Sequence, residues 1–250
     1  MDGAQHVVGV DVAASRPCVA VSIRCGRTLD VEDWCTIEGT DRAERRRLGE
    51  WIERSAPVAV AVDAPQRPRR SRDEGHPRAA DAELAARRIS VYQVPTRAAA
   101  DASGRRYAWM QVGWDIFREL GRRGFEPPTP GALAGALGQA PAALEVYPYG
   151  TFAALLGGTP PSKGGRAGLH VRVTALRAAG VVWDEFFDHD SLDALAAALT
   201  AWRSVQGLAT PLGDDHDGFV WLPVTRHDLR ASYPRLSEHQ ALQAARRLGR

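Results

Sequence analysis

Cysteine is scarce in this sequence, and long apolar runs are absent. Cys18, Cys25 and Cys35 are odd in number and show no CxxC spacing. That excludes a disulfide scaffold and a zinc knuckle, and it predicts reduced thiols in a cytoplasmic protein. No stretch approaches the roughly twenty apolar residues that a membrane-spanning helix needs, so no membrane partner is expected. Met1 to Ser15 has no basic start and is broken by Asp11, which makes it a poor signal peptide. A charge excess of one sign is lacking too. The 32 Lys and Arg against 30 Asp and Glu leave a net +2, which says little about partners. No internal repeat is visible. What remains is ordinary for a soluble globular chain, 44% hydrophobic and 25% charged over 250 residues. That length accommodates one large domain or two small ones. The richness in Ala and Arg reads as compositional.

The stretch Val7-Val8-Gly9-Val10-Asp11-Val12-Ala13-Ala14-Ser15 organises the rest. Three β-branched valines suit a buried, pleated strand. Asp11 ends the apolar run. An unpaired carboxylate in a core costs several kcal/mol or is forced neutral, so Asp11 belongs at the strand's open end or beside a cation. The small residues after it leave room for a ligand.

Pro17 to Arg24 reads as a second strand, Gly26-Arg27 as a turn, and Thr28 to Ile37 as a third strand, together an antiparallel meander. Thr40 or Asp41 caps a helix to about Ser55, with Leu48, Trp51 and Ile52 on its apolar stripe. Val58 to Val62 is an apolar fourth strand that ends in Asp63. Gln66 to Arg78 is a loop. Its Arg67, Arg69, Arg70, Arg72 and Arg78 outnumber Asp73 and Glu74. Helices are predicted over Ala79 to Arg88 and Arg106 to Arg123. Ile89 to Val94 is a short strand or extended link, and Phe125 to Ala140 a loop. Ala143 to Pro148 is strand-like and carries Glu145. Tyr149 to Leu156 is a short helix, Gly157 to Gly168 a loop with Lys163 and Arg166, and Leu169 to Ala179 a helix. Ala194 to Trp202, rich in Ala and Leu, is a helix introduced by Phe187 to Asp193. Gly218 to Pro223 closes the sheet. Residues 1–225 form the main domain. Residues 226–250 are an appendage, with a helix from Ser237 to Leu248 and a part that is mobile.

Asp11 and Asp63 each terminate an apolar run, and functional groups of α/β sheets gather at strand ends. Asp190 and Asp193 lie three apart, on one face of a helix's first turn. Glu145 sits inside a strand. Mg²⁺ or Mn²⁺ prefers several hard carboxylate oxygens, and converging acids repel unless cations hold them. Each acid also has an ordinary reading. Asp190 would serve as a helix N-cap, Asp11 and Asp63 as turn residues, and Glu145 as an arginine's partner.

Gly9-Val10-Asp11, Val62-Asp63-Ala64-Pro65, Glu145-Val146-Tyr147-Pro148 and Asp190 to Ala197 together resemble the family called domain of unknown function 429. That family is described as predicted nucleases with the ribonuclease H-like fold. The late segment His189 to Thr200 also looks like the final active-site helix of RuvC-type resolvases. The resemblance runs from about Val7 to Pro223. It implies an α/β fold with a central mixed sheet, three antiparallel strands and then parallel ones, flanked by helices. It implies that Asp11 bridges two metals, with Asp63, Asp190 and Asp193 as the other superfamily acids. Glu145 belongs to the narrower family's motif.

The expected activity is therefore metal-assisted phosphodiester hydrolysis on nucleic acid. Asp11, Asp63 and Asp193 would hold the cations, and Glu145 or Asp190 a water. Lys163 and Arg166 would contact a phosphate, and Arg67, Arg69 and Arg70 would track a backbone. Aromatic residues do not interleave with that arginine cluster, which weakens a single-strand stacking reading. A homodimer is a further expectation. Two rivals stand beside this. One is a non-catalytic binding module on the same fold. The other is an actin-like or sugar-kinase-like phosphotransferase, disfavoured because Val12-Ala13-Ala14 lack the glycine that admits a phosphate.

Overall fold

The computed structural model describes residues 5–70, 76–129, 141–184 and 188–249. The chain runs β1 (Gln5–Asp11), β2 (Cys18–Cys25), β3 (Leu29–Ile37), α1 (Arg42–Ser55), β4 (Ala59–Asp63), α2 (Ala79–Ala86) and α3 (Arg97–Ala102). After a 3-10 turn at Gly104–Tyr107 come α4 (Ala108–Arg122), β5 (Ala142–Val146), α5 (Pro148–Leu156) and α6 (Arg166–Ala178). The last elements are β6 (Val181–Val182), α7 (His189–Val205), β7 (Thr210–Asp214), β8 (Gly218–Leu222) and α8 (Glu238–Arg247).

The strands form one sheet in the order β6-β3-β2-β1-β4-β5-β8-β7. β1, β2 and β3 are an antiparallel meander, whereas β1, β4, β5 and β8 run parallel. Helices cover both faces. Three antiparallel strands followed by parallel ones give the α/β, ribonuclease H-like architecture. The central strands are short, apolar and buried on both sides, as parallel strands under two helical layers must be.

β1 divides its residues between the two layers because strand side chains alternate. Val8 and Val10 join the core shared with α1 and α4. Val7 faces the opposite core, which contains α5, α6, α7 and α8. Gly9 shares Val7's face and lies under α7. A Cβ at Gly9 would overlap the Ala194 carbonyl oxygen and the Ala198 amide nitrogen. Strand and helix therefore meet backbone to backbone. The alanines of α7 are what permits that approach, since any larger side chain would hold the helix off the sheet.

Local signals explain the helix starts. Asp41 caps α1, its carboxylate accepting from the Ala43 and Glu44 amides. Asp188, rather than Asp190, caps α7 by accepting from the Ser191 amide at 2.9 Å. The helix predicted from Arg106 begins at Ala108 after the 3-10 turn. Residues 89–94 form no strand. β6, β7 and α3 were not anticipated. β6 has two residues, and β7 carries Pro211 and Gly213, which weaken a strand pattern and suit an edge. Arg72, Asp73 and Glu74 of the arginine loop, Phe187, and residues 130–140 of the predicted Pro/Gly loop lie outside the described residues. Past β8, Tyr233 is buried and its amide donates to the Arg87 carbonyl at 2.9 Å. Ala241 and Ala245 of α8 are buried in the core shared with α6.

Candidate metal centre and its cleft

β1 and β4 pair so that Asp11 stands opposite Asp63. Paired residues of adjacent parallel strands point to one face. For these two it is the face that Gly9 and α7 occupy. Asp193 lies in the first turn of α7, next to Ala194, whose carbonyl rests on Gly9. The close crossing thus delivers Asp193 to the two strand ends. One carboxylate oxygen from each of Asp11, Asp63 and Asp193 lies within 4.8 Å of the others. Asp11 and Asp193 are buried, and Asp63 is half-buried.

Three carboxylates so close cannot all ionise cheaply. Burial, then the charges of Asp193 and Asp190, push Asp11 up to about 8. Burial, then Asp11 and Asp193, push Asp63 well above the usual carboxylate range. Two basic side chains partly offset this. Arg16 Nη2 is 3.2 Å from Asp11 Oδ2 and 2.6 Å from Asp190 Oδ1, so it bridges the two acids. Lys163 Nζ is 2.6 Å from Asp193 Oδ2. Burial would lower the Lys163 pKa, but Asp193 outweighs it and the ammonium is held. The donor set is three hard carboxylate oxygens with no thiol or imidazole in the group, which fits a hard divalent cation such as Mg²⁺ or Mn²⁺ rather than a soft metal.

The carboxylates open into a cleft of about 1270 Å³. Tyr92, Trp109, Tyr147 and Tyr149 line it, with Arg105 and Arg235 at its walls. Arg172 also reaches it. That side chain is buried, donates to the Pro161 and Gly168 carbonyls, and makes no ion pair among the described residues. α4 sits close because a Cβ at Gly113 would overlap Ala64, which immediately follows Asp63.

The other predicted residues fall elsewhere. Glu145 is in register with Val62, one residue short of Asp63, and so points to the opposite face of the sheet. There it pairs with Arg78 through both carboxylate oxygens and accepts from the Gln66 amide at 3.0 Å. Arg78 also binds Asp81, and all three side chains are buried. The structure therefore does not bring Glu145 to the carboxylate group. Asp190 is joined to it by hydrogen bonds through Arg16. Arg67 donates to the Asp215 carbonyl, the Arg70 amide donates to Asp217, and Arg69 Nη1 donates to the His76 carbonyl. None of these three arginines lines the cleft. Arg166 is exposed at the start of α6, outside the cleft lining.

Sequence reasoning did not single out Arg16, Tyr92, Arg105, Trp109 or Arg235. Arg16 carried a signal, since it follows the small residues after Asp11 directly. The others come from separate segments, and no spacing joins them.

No curated protein matches the chain. Among solved structures the chain is similar to T. thermophilus RuvC in complex with a Holliday junction substrate. The identity is 16% and the TM-score 0.41, over 78% of this chain and 90% of that one. Residues 9–217 match the family model described as "Protein of unknown function (DUF429)". The chain belongs to that family.

Proposed function

We propose that the chain is a metal-dependent nuclease that hydrolyses phosphodiester bonds of nucleic acid. The observation that carries this is the convergence of Asp11, Asp63 and Asp193 to within 4.8 Å at the floor of a large open cleft. Phosphate is anionic, and three carboxylates would repel it unless a cation lay between them. A bound divalent cation supplies a nucleophilic water at neutral pH and stabilises the leaving oxygen.

Asp11, Asp63 and Asp193 are the residues that would hold Mg²⁺ or Mn²⁺. Mounting two of them on neighbouring strands and the third on a helix fixed by backbone contact keeps them oriented. Arg16 holds Asp11 and Asp190 together and orients the free oxygen of Asp11. Lys163 would have its ammonium free for a phosphate oxygen with Asp193 holding a cation. Arg105 and Arg235 supply charge at the walls for the neighbouring phosphates. Glu145 acts at a distance, by fixing the turn that follows Asp63 through the Gln66 amide.

The test is calorimetric titration of Mn²⁺ and Mg²⁺ into wild type, Asp11→Asn and Asp193→Asn, beside cleavage assays on DNA and RNA. Binding and cleavage that both vanish in the variants support the reading. A folded wild type that neither binds the metals nor cleaves any substrate ends it. No described helix is long and apolar enough to cross a membrane.

A further inference from the structure

Tyr92 is 72% exposed, the one aromatic among the large exposed hydrophobics of the described residues. An exposed ring on a floppy loop would carry no meaning. This one sits on an irregular segment that is fastened along its length. The Ile89 amide donates to the Leu84 carbonyl at 3.0 Å, and Tyr147 Oη donates to the Ser90 carbonyl at 2.7 Å. On the far side the Val94 amide donates to buried Asp81 at 3.1 Å, and the Arg69 amide to the Pro95 carbonyl at 3.0 Å. Ile89 and Val94 are themselves core residues. The backbone is held on both sides while the ring projects into solvent.

The ring is also aimed. Tyr92 meets Trp109 edge to face, with centroids 6.4 Å apart and planes at 70°. Both rings line the cleft whose floor is Asp11 and Asp63. Tyr147 and Tyr149 add a second pair, with centroids 6.0 Å apart. Arg105 and Arg235 line the same cleft, are exposed, and make no ion pair among the described residues. The cleft thus joins π-faces, uncommitted guanidinium groups and a carboxylate floor.

A ligand matching all three features has flat aromatic groups strung on an anionic backbone. In a duplex both faces of each base are already covered by neighbours. An aromatic wall gains nothing from them unless a base leaves the stack. A pre-fixed ring loses little entropy on binding, so the contact favours association fully. We propose that this site takes unpaired nucleic acid, with a base next to the scissile phosphodiester stacked on Tyr92 and the flanking phosphates on Arg105 and Arg235. The proposal rests on the nuclease reading above and narrows its substrate.

The experiment compares full-length wild type, Tyr92→Ala and Tyr92→Phe, with circular dichroism to check folding. Fluorescence anisotropy in Ca²⁺, a hard divalent cation that can stand between the carboxylates and phosphate, measures binding of labelled single-stranded DNA, single-stranded RNA and the corresponding duplexes. Cleavage of the same set is followed in Mn²⁺. Single strands of at least one sugar type bind and are cut in preference to duplex. Tyr92→Ala weakens their binding about five- to hundredfold, the worth of one base stack, while Tyr92→Phe keeps it. The DNA and RNA arms identify the sugar. Equal binding and cleavage of duplex, or single-strand binding indifferent to Tyr92→Ala, overturns the proposal and leaves the nuclease reading standing. Absence of binding and cleavage for every substrate overturns both.

Discussion

Lys163 Nζ lies 2.6 Å from Asp193 Oδ2, and Lys163 is the only lysine in a chain whose other 31 basic side chains of this class are arginines. An ammonium is a compact point charge that occupies one oxygen. A guanidinium fork would take both oxygens of the carboxylate and hold them. Lys163→Met removes a competitor for Asp193, so Mn²⁺ binds several-fold more tightly. Cleavage nevertheless falls by about 10²-fold, the scale of one lost donor to a developing charge. Lys163→Arg weakens Mn²⁺ binding instead. Calorimetric titration beside single-turnover cleavage reads both effects, and a Lys163→Met chain whose affinity and rate fall together would contradict the assignment.

The carboxylate group makes stability depend on pH. Burial first, then Asp193 and Asp190, raise Asp11 to about 8 in the folded chain, against about 3.9 when unfolded. A raised pKa means that the folded state binds the proton better. Its contribution is therefore complete below about pH 4 and is lost as pH rises through about 8. Asp63 acts in the same direction. The melting temperature of the metal-free chain should fall across this window. Saturating Mn²⁺ should cancel the fall, with proton release on binding near neutrality. Asp11→Asn should make the metal-free profile shallower, leaving the part due to buried Asp63, and lose the metal response. Scanning calorimetry at several pH values, in EDTA and in Mn²⁺, checks all three.

Gly9→Ala pushes a methyl group into the backbone of α7 at Ala194 and Ala198. Backbone cannot swing aside as a side chain does, so the helix must lift. The expected cost is about 3 kcal/mol or more, at the upper end of overpacking. Because Asp193 rides on that helix, Mn²⁺ affinity should drop in the molecules that remain folded. Urea denaturation and metal titration separate the two losses. A stable Gly9→Ala chain with unchanged affinity would mean that the crossing does not position Asp193.

Glu145, Arg78 and Asp81 form a buried ion cluster that ties β5 to the loop after β4. Glu145→Ala leaves the Arg78 charge short of a partner and should cost about 3–5 kcal/mol. The double variant Arg78→Met/Glu145→Gln should cost less than the sum of its single changes, since position 145 no longer carries a stranded charge, but Asp81 loses its cation and keeps the variant less stable than wild type. Metal stoichiometry should be unchanged in both. Loss of metal binding in Glu145→Gln at full folding would place Glu145 in the metal site after all.

Much of the scaffold was legible because its signals are local. β1, β2 and β4 are short, mostly apolar runs beside turn residues, and Asp41 announces α1 by its cap. The ends of β1 and β4 flagged Asp11 and Asp63 for the same reason. Whether acids meet is a matter of register, which leaves no local trace. Asp11 stands opposite Asp63, whereas Glu145 stands opposite Val62, and that single step sends it through the sheet to the other face. The aromatic lining was hidden more deeply. Tyr92, Trp109 and the Tyr147–Tyr149 pair come from three separate segments, none of them in the arginine-rich 67–72 loop. Of its described arginines, Arg67 and Arg70 reach the turn between β7 and β8, at Asp215 and Asp217, and Arg69 donates to the His76 carbonyl.

The crossing of β1 and α7 also sets an order of events during synthesis. The acid-bearing ends of these elements are far apart in the chain, with Arg16 and Asp190 separated by 174 positions. A ribosome that has delivered the first six strands has made Asp11 and Asp63 but no partner for the exposed backbone of Gly9. Contacts of such long range form late and slowly. Until α7 emerges, the nascent chain holds an unfinished sheet face, open to other chains, and cannot gather its third carboxylate. The group of three carboxylates is thereby incomplete until nearly the whole sheet and its helices exist.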